Sequence, residues 1–106
     1  MFKLTEGKGG KFHFTLLAKN QRVILTSETY GARAAAATGI ASVKKNAGNR
    51  GAFEVRTAKN GQSYFVLIAK NGEVIGQSQM YAHRSSAYTG IKSVMANGPT
   101  AETLSE

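Results

Sequence analysis

The chain has no cysteine. That removes any disulfide framework, thiolate metal site or thiol nucleophile. It also has no aspartate: its six acids are Glu6, Glu28, Glu54, Glu73, Glu102 and Glu106, and no spacing among them points to a carboxylate pair for hydrolysis. Its two histidines, His13 and His83, each stand alone, so neither a triad nor a histidine metal site has partners that can be named. No apolar run approaches the ~20 residues of a membrane span. Met1-Phe2-Lys3-Leu4-Thr5 goes straight into alternation, without the basic-then-apolar pattern of a signal peptide. These absences point to a cytoplasmic protein with no catalytic site, no metal site, no cofactor and no membrane partner.

Positive charge is plentiful. The formal net charge is +8 and the pI about 10.1, which makes nucleic acid or an acidic protein a candidate partner. Residues 1–49 hold eight Lys and Arg against two Glu, and residues 50–106 hold six against four. No block of five or six like charges occurs, so scattered lysines that keep a small domain soluble are the bland alternative.

The chain also repeats itself. Ala69-Lys70-Asn71-Gly72-Glu73-Val74-Ile75 answers Ala18-Lys19-Asn20-Gln21-Arg22-Val23-Ile24. One constant, gapless shift lays Phe2 on Phe53, Phe14 on Phe65, Tyr30 on Tyr81 and Thr38-Gly39-Ile40 on Thr89-Gly90-Ile91. Roughly 20 of about 46 overlaid positions are identical, which defines a two-unit internal repeat. Repeat 1 spans residues 1–49 and repeat 2 residues 50–106. The connection is too short for a flexible linker, so residues 1–106 read as one pseudo-symmetric domain.

Within each unit the hydrophobic period changes once. Phe2-Lys3-Leu4-Thr5 alternates, and Phe12 to Ala18 and Val23 to Thr26 follow as two further strands, with Phe14, Leu16 and Ala18 on one face. His13, Thr15 and Leu17 face the other way, as do Tyr64, Val66 and Ile68, which predicts an outer sheet face that is substantially apolar. Asn71-Gly72 suits a type I′ hairpin turn, and Asn20-Gln21 suits it less well because Gln lacks glycine's tolerance of positive φ. From Ala32 to Asn46, and again from about His83 to Ala96, apolar residues recur every three or four positions, which predicts two helices without good N-caps. Gly39 and Gly90 fall mid-helix on the apolar face, at ~1 kcal/mol relative to alanine. Close approach of the helix to the sheet or to the other helix explains them.

Phe65-x-Leu67-x-Ala69-Lys70-Asn71-Gly72-x-Val74-Ile75, Ser78-x-x-Tyr81 and Gly90-Ile91-x-Ser93-Val94 together resemble the YegP-like family of small bacterial repeat proteins. The resemblance covers nearly the whole chain. It implies repeats of three strands, a helix and a further strand, joined in a single sheet with C-terminal strands exchanged between units. Ala52-Phe53-Glu54-Val55 and Thr100 to Leu104 are the segments able to supply those strands. The family brings no established activity.

The expected fold is therefore α+β: two tandem β-β-β-α repeats sharing one antiparallel sheet, with both helices on one face. Repeat 2 can supply what a dimer mate would, so a monomer is expected. The leading functional reading is a non-enzymatic binding module for nucleic acid or an acidic partner. It would act through Lys8, Lys11, Lys19, Arg22, Arg56, Lys59 and Lys70 at the turns and Tyr64 on the outer face. The alternative is a structural or protein-interaction domain acting through the apolar sheet face with no nucleic-acid role. Gly7-Lys8-Gly9-Gly10-Lys11 precedes a strand and lacks the Gly-Lys-Ser/Thr ending of a phosphate loop, so it reads as a turn.

Overall fold

Each repeat builds three strands and a helix, and a short strand follows the second helix. The computed structural model describes residues 1–105; Glu106 lies outside the described residues. In chain order the elements are β1 (Phe2–Glu6), β2 (Phe12–Leu17), β3 (Val23–Thr26), α1 (Arg33–Asn46), β4 (Phe53–Thr57), β5 (Ser63–Ile68), β6 (Val74–Gln77), α2 (Arg84–Asn97) and β7 (Thr103–Ser105). Single 3-10 turns occupy Lys8–Gly10 and Arg50–Ala52. The helices start one residue later than the periodicity suggests. Ala32 and His83 are extended N-cap residues, and neither side chain caps.

All seven strands form one sheet in the order β4-β5-β6-β3-β2-β1-β7. The repeats join where β3 meets β6, through Thr26 opposite Gln77. The sheet is not wholly antiparallel: β7 runs parallel to β1, with Phe2 opposite Thr103. The strand after α2 thus crosses to the outer edge of repeat 1, and the Phe2 N–H donates to the Glu102 carbonyl at 2.7 Å. The segment after α1 becomes β4 itself. At that edge the Phe53 N–H turns back to the Arg50 carbonyl.

Both helices cover one face of the sheet, and α1 reaches strands of both repeats. The core repeats like the sequence. Phe14 meets Phe2 edge-on at 5.9 Å and stacks on Tyr30 at 6.2 Å, while Phe65 meets Phe53 at 5.8 Å and stacks on Tyr81 at 6.4 Å. The mid-helix glycines lie against these stacks. A Cβ on Gly39 would overlap the Tyr30 hydroxyl and come within 2.9 Å of Phe14, and one on Gly90 would come within 2.5 Å of the Tyr81 hydroxyl and 2.9 Å of Phe65. The close approach is therefore to the aromatic layer of the sheet. Burial, aided by Glu28 and Glu73, raises the Tyr30 phenol above its ordinary value.

The junction breaks the symmetry. The shift that aligns the repeats places Leu25 on Gly76. Leu25 is buried, and a Cβ on Gly76 would lie 2.8 Å from its side chain. Two leucines would not fit side by side at the pseudo-two-fold axis, so one copy is reduced to hydrogen.

The hairpin turns differ from the expected type I′. In Ala69-Lys70-Asn71-Gly72-Glu73 the Gly72 N–H donates to the Ala69 carbonyl at 2.9 Å. Gly72 has φ of +86°, whereas Asn71 is not left-handed. This is a type I turn followed by a left-handed bulge residue. Asn71 Oδ1 accepts the Glu73 N–H at 3.0 Å, and Asn20 and Asn60 accept from Arg22 and Gln62 in the same way. Gln21 holds the glycine position of its turn at φ 69°, which costs a non-glycine residue about 1 kcal/mol.

Candidate functional site

Strand alternation decides where the turn cations go. Neighbours from β4 across to β1 are antiparallel. The β1–β2 and β5–β6 turns therefore share one end of the sheet, and the β2–β3 and β4–β5 turns share the other. Lys8, Lys11 and Lys70 fall at the first end, and Lys19, Arg22 and Lys59 at the second. The cations thus form two groups, one at each end of the sheet, in which the repeat relates Lys8 to Lys59 and Lys70 to Lys19. All are exposed, and among the described residues none of these side chains has a carboxylate partner.

Arg56 and Tyr64 behave differently. They face each other across β4 and β5. Arg56 Nε donates to Glu54 Oε1 at 2.8 Å. That hydrogen bond, helped by one to Tyr64, raises the guanidinium above its ordinary value. Arg56 is thus engaged, beside Tyr64 on the outer face. Val66, expected to be open, is 1% exposed although it lies outside the helix-side core. The exposed large hydrophobics are Met1, Val23, Met80, Tyr88 and Leu104, and none belongs to the predicted outward set. The predicted outward set is thus half-buried apart from Val66, while Val23, paired with Leu17, is exposed.

One arrangement escaped the sequence. Tyr88 is 39% exposed on α2, with the Arg50 guanidinium 5.6 Å and the Arg84 guanidinium 6.0 Å from its ring centre. Both guanidinium groups lie over the ring, and Arg84 Nε donates to the Tyr88 hydroxyl at 3.4 Å, which sets two cations and a partly exposed aromatic side by side at the surface. Arg84 and Tyr88 share a helix face by their spacing, but the 3-10 turn that brings Arg50 across has no sequence signal.

Several surface pockets are lined by repeated residues. One, of about 350 Å³, sits where the repeats join, between Thr26, Ser27 and Glu28 on one side and Gln77, Ser78 and Gln79 on the other. Ser27 and Ser78 already serve the fold. Their hydroxyls accept from the Phe14 and Phe65 N–H groups and donate to the next carbonyl. Two further pockets form a related pair. Ala18, Lys19 and Asn20 meet Ser93, Ala96 and Asn97 of α2, and Ala69, Lys70 and Asn71 meet Ser42, Lys45 and Asn46 of α1. Each hairpin thus faces the helix of the other repeat. Among the described residues no group of His and Glu side chains could hold a metal ion, and no helix is long and apolar enough to cross a membrane.

A family model described as a domain of unknown function, DUF1508, matches this chain twice, over residues 8–54 and 58–104. The chain belongs to the DUF1508 family. UPF0339 protein PA0329 of Pseudomonas aeruginosa is 51% identical over 100 residues, covering 94% of this chain and 91% of the relative. UPF0339 protein YegP of Shigella flexneri is 47% identical over 105 residues, covering 99% and 94%. Among solved structures, that of yegP from E. coli, titled a protein of unknown function, superposes with a TM-score of 0.93 at 44% identity over 99% of this chain and 90% of that one. UPF0339 protein SO3888 from Shewanella oneidensis gives 0.92 at 40% identity, over 98% and 88%. The YegP-like resemblance and the α+β repeat fold are both upheld. These relatives are uncharacterised, so the family supplies architecture and leaves activity open.

Proposed function

We propose that the chain is a small, non-enzymatic, monomeric binding module that holds single-stranded nucleic acid at its hairpin turns. The observation that carries this reading is the state of the turn cations. Lys8, Lys11, Lys19, Arg22, Lys59 and Lys70 are exposed, lack carboxylate partners among the described residues, and belong to a chain of net charge +8. Cations placed at both ends of a body 35 × 31 × 29 Å in extent suit a long, regularly charged polymer that passes both groups. The Arg50–Tyr88–Arg84 cluster favours nucleic acid over an acidic peptide, because bases stack on guanidinium planes as well as on aromatic rings.

The test is titration of a single-stranded oligonucleotide into labelled protein at low salt, followed by amide NMR and fluorescence anisotropy. Affinity should fall steeply as salt rises, by about 0.7 log unit per log unit of salt for each phosphate neutralised. Tyr88→Ala should weaken it further at fixed salt. Absence of any amide shift would overturn the proposal. Equal binding of polyglutamate, insensitive to Tyr88→Ala, would move the assignment to an acidic protein.

A further inference from the structure

The residues that recur in both repeats have mostly structural roles. The phenylalanines, leucines and isoleucines fill the core, the glycines and Asn20/Asn71 shape turns, Ser27/Ser78 satisfy strand amides, and Tyr30/Tyr81 stack. Lys8/Lys59, Arg33/Arg84, Thr38/Thr89, Lys19/Lys70, Ser42/Ser93 and Asn46/Asn97 are not accounted for in this way, and the last three pairs meet one another at the hairpin–helix junctions. The lysines are exposed. Asn46 Nδ2 donates back to the Ser42 carbonyl at 2.7 Å, and Asn97 to Ser93 at 2.8 Å, bonds that give a helix nothing alanine would not. Yet these pairs assemble twice, each time with a lysine and asparagine from one repeat and a serine and asparagine from the other.

We infer that the two hairpin–helix junctions are a duplicated binding site for a phosphate flanked by a hydroxyl, the chemistry of a ribose phosphate. The donor and acceptor inventory leads there. The Lys70 ammonium and the Ser42 hydroxyl supply donors. Asn71 spends Oδ1 on the Glu73 N–H, which leaves its Nδ2 as a third. Together these suit anionic oxygens. Asn46 spends Nδ2 on Ser42, so its free end is the Oδ1 acceptor, which suits a neighbouring hydroxyl. Lys19, Ser93, Asn20 and Asn97 repeat the set, with Asn20 Oδ1 spent on the Arg22 N–H and Asn97 Nδ2 on Ser93. The pockets, about 250 and 450 Å³, admit a sugar phosphate but not a folded partner. The junctions differ in one charge, since Lys45 lines the first where Ala96 lines the second.

This inference rests on the nucleic-acid reading and narrows it to RNA, because only the 2′-hydroxyl lets a protein tell ribose from deoxyribose at such a site. The probes are a 12-nucleotide oligouridylate, the matching oligodeoxyuridylate and ribose 5-phosphate, with amide NMR mapping and anisotropy on the intact chain. Oligouridylate should shift the amides of both junctions and bind about tenfold more tightly than the deoxy form, the worth of one good hydrogen bond. Asn46→Ala with Asn97→Ala should abolish that ratio while leaving the deoxy affinity in place. Lys19→Gln with Lys70→Gln, confined to exposed side chains, should weaken both about tenfold and serves if the asparagine variant fails to fold. Saturation by ribose 5-phosphate with the same shifts at lower concentration would support the site and assign it to a free sugar phosphate. Shifts confined to Lys8, Lys11 and Lys59 would overturn the junction site while the broader reading stands. No shift from any probe would overturn both.

Discussion

The two repeats agree in their interiors and part company where they meet and where they face water. Phe14, Tyr30 and Gly39 in one repeat and Phe65, Tyr81 and Gly90 in the other make the same three-way contact to within a few tenths of an ångström. At the axis Leu25 stands against Gly76, and at the equivalent hairpins Gln21 stands where the other has Gly72. A duplicated unit can keep its own core unchanged. It cannot place two identical bulky groups on the axis that relates them, because each would occupy the other's space. Symmetry in this molecule is therefore a property of local packing, and it gives way where the copies share a contact.

That comparison can be broken experimentally. The largest effect should come from leucine at the mid-helix glycines. Gly39→Leu and Gly90→Leu should each lose about 4 kcal/mol or more, since the new side chain meets rigid aromatic rings, and urea denaturation should give the two similar losses. A loss confined to one repeat would show that the interiors are not equivalent. Next is the axis. Leu25→Gly should cost about 3 kcal/mol through the hole it leaves, and Gly76→Leu about 2 kcal/mol through overpacking. The double swap should recover most of both, a coupling that a double-mutant cycle measures directly. Simple additivity would mean that the two positions do not share one space. The smallest effect is Gln21→Gly. Relief of the left-handed strain, offset by the greater freedom of glycine in the unfolded chain, should leave a gain of about 0.5 kcal/mol. A loss in thermal melting would show that the Gln21 side chain does something the turn does not require.

Much of the fold was legible because it depends on local period. Phe12 to Ala18 alternates, Ala32 to Asn46 steps by three and four, and a glycine on an apolar helical face implies a close neighbour. Which neighbour was open, since the Tyr30–Phe14 stack forms only when the segment before the helix folds back on β2. Asn-Gly serves both type I′ and type I with a bulge, and only backbone angles separate them. The parallel course of β7 depends on which edge lies within reach after α2. For the site, residue types were readable but their assembly was not. The turn cations separate into two groups because alternating strand direction sends successive turns to opposite ends. The Lys19–Asn97 and Lys70–Asn46 neighbourhoods join residues of opposite repeats, which no local pattern records. Arg50 and Tyr88 belong to one repeat but lie far apart along the chain, so their contact leaves no local pattern either.

The parallel strand β7 has a consequence for how the molecule forms. Phe2 and Thr103 are paired neighbours but lie nearly the whole chain apart, so the edge of the first strand is closed by the most distant contact in the sheet. Bringing together ends so far apart carries a loop-closure cost that grows only slowly with length, about 0.6 kcal/mol for each doubling, yet it delays that contact until the intervening strands are in place. During synthesis from the N-terminus, repeat 1 waits with β1 uncovered while repeat 2 is made. Through that interval its free edge is open to pairing with other chains.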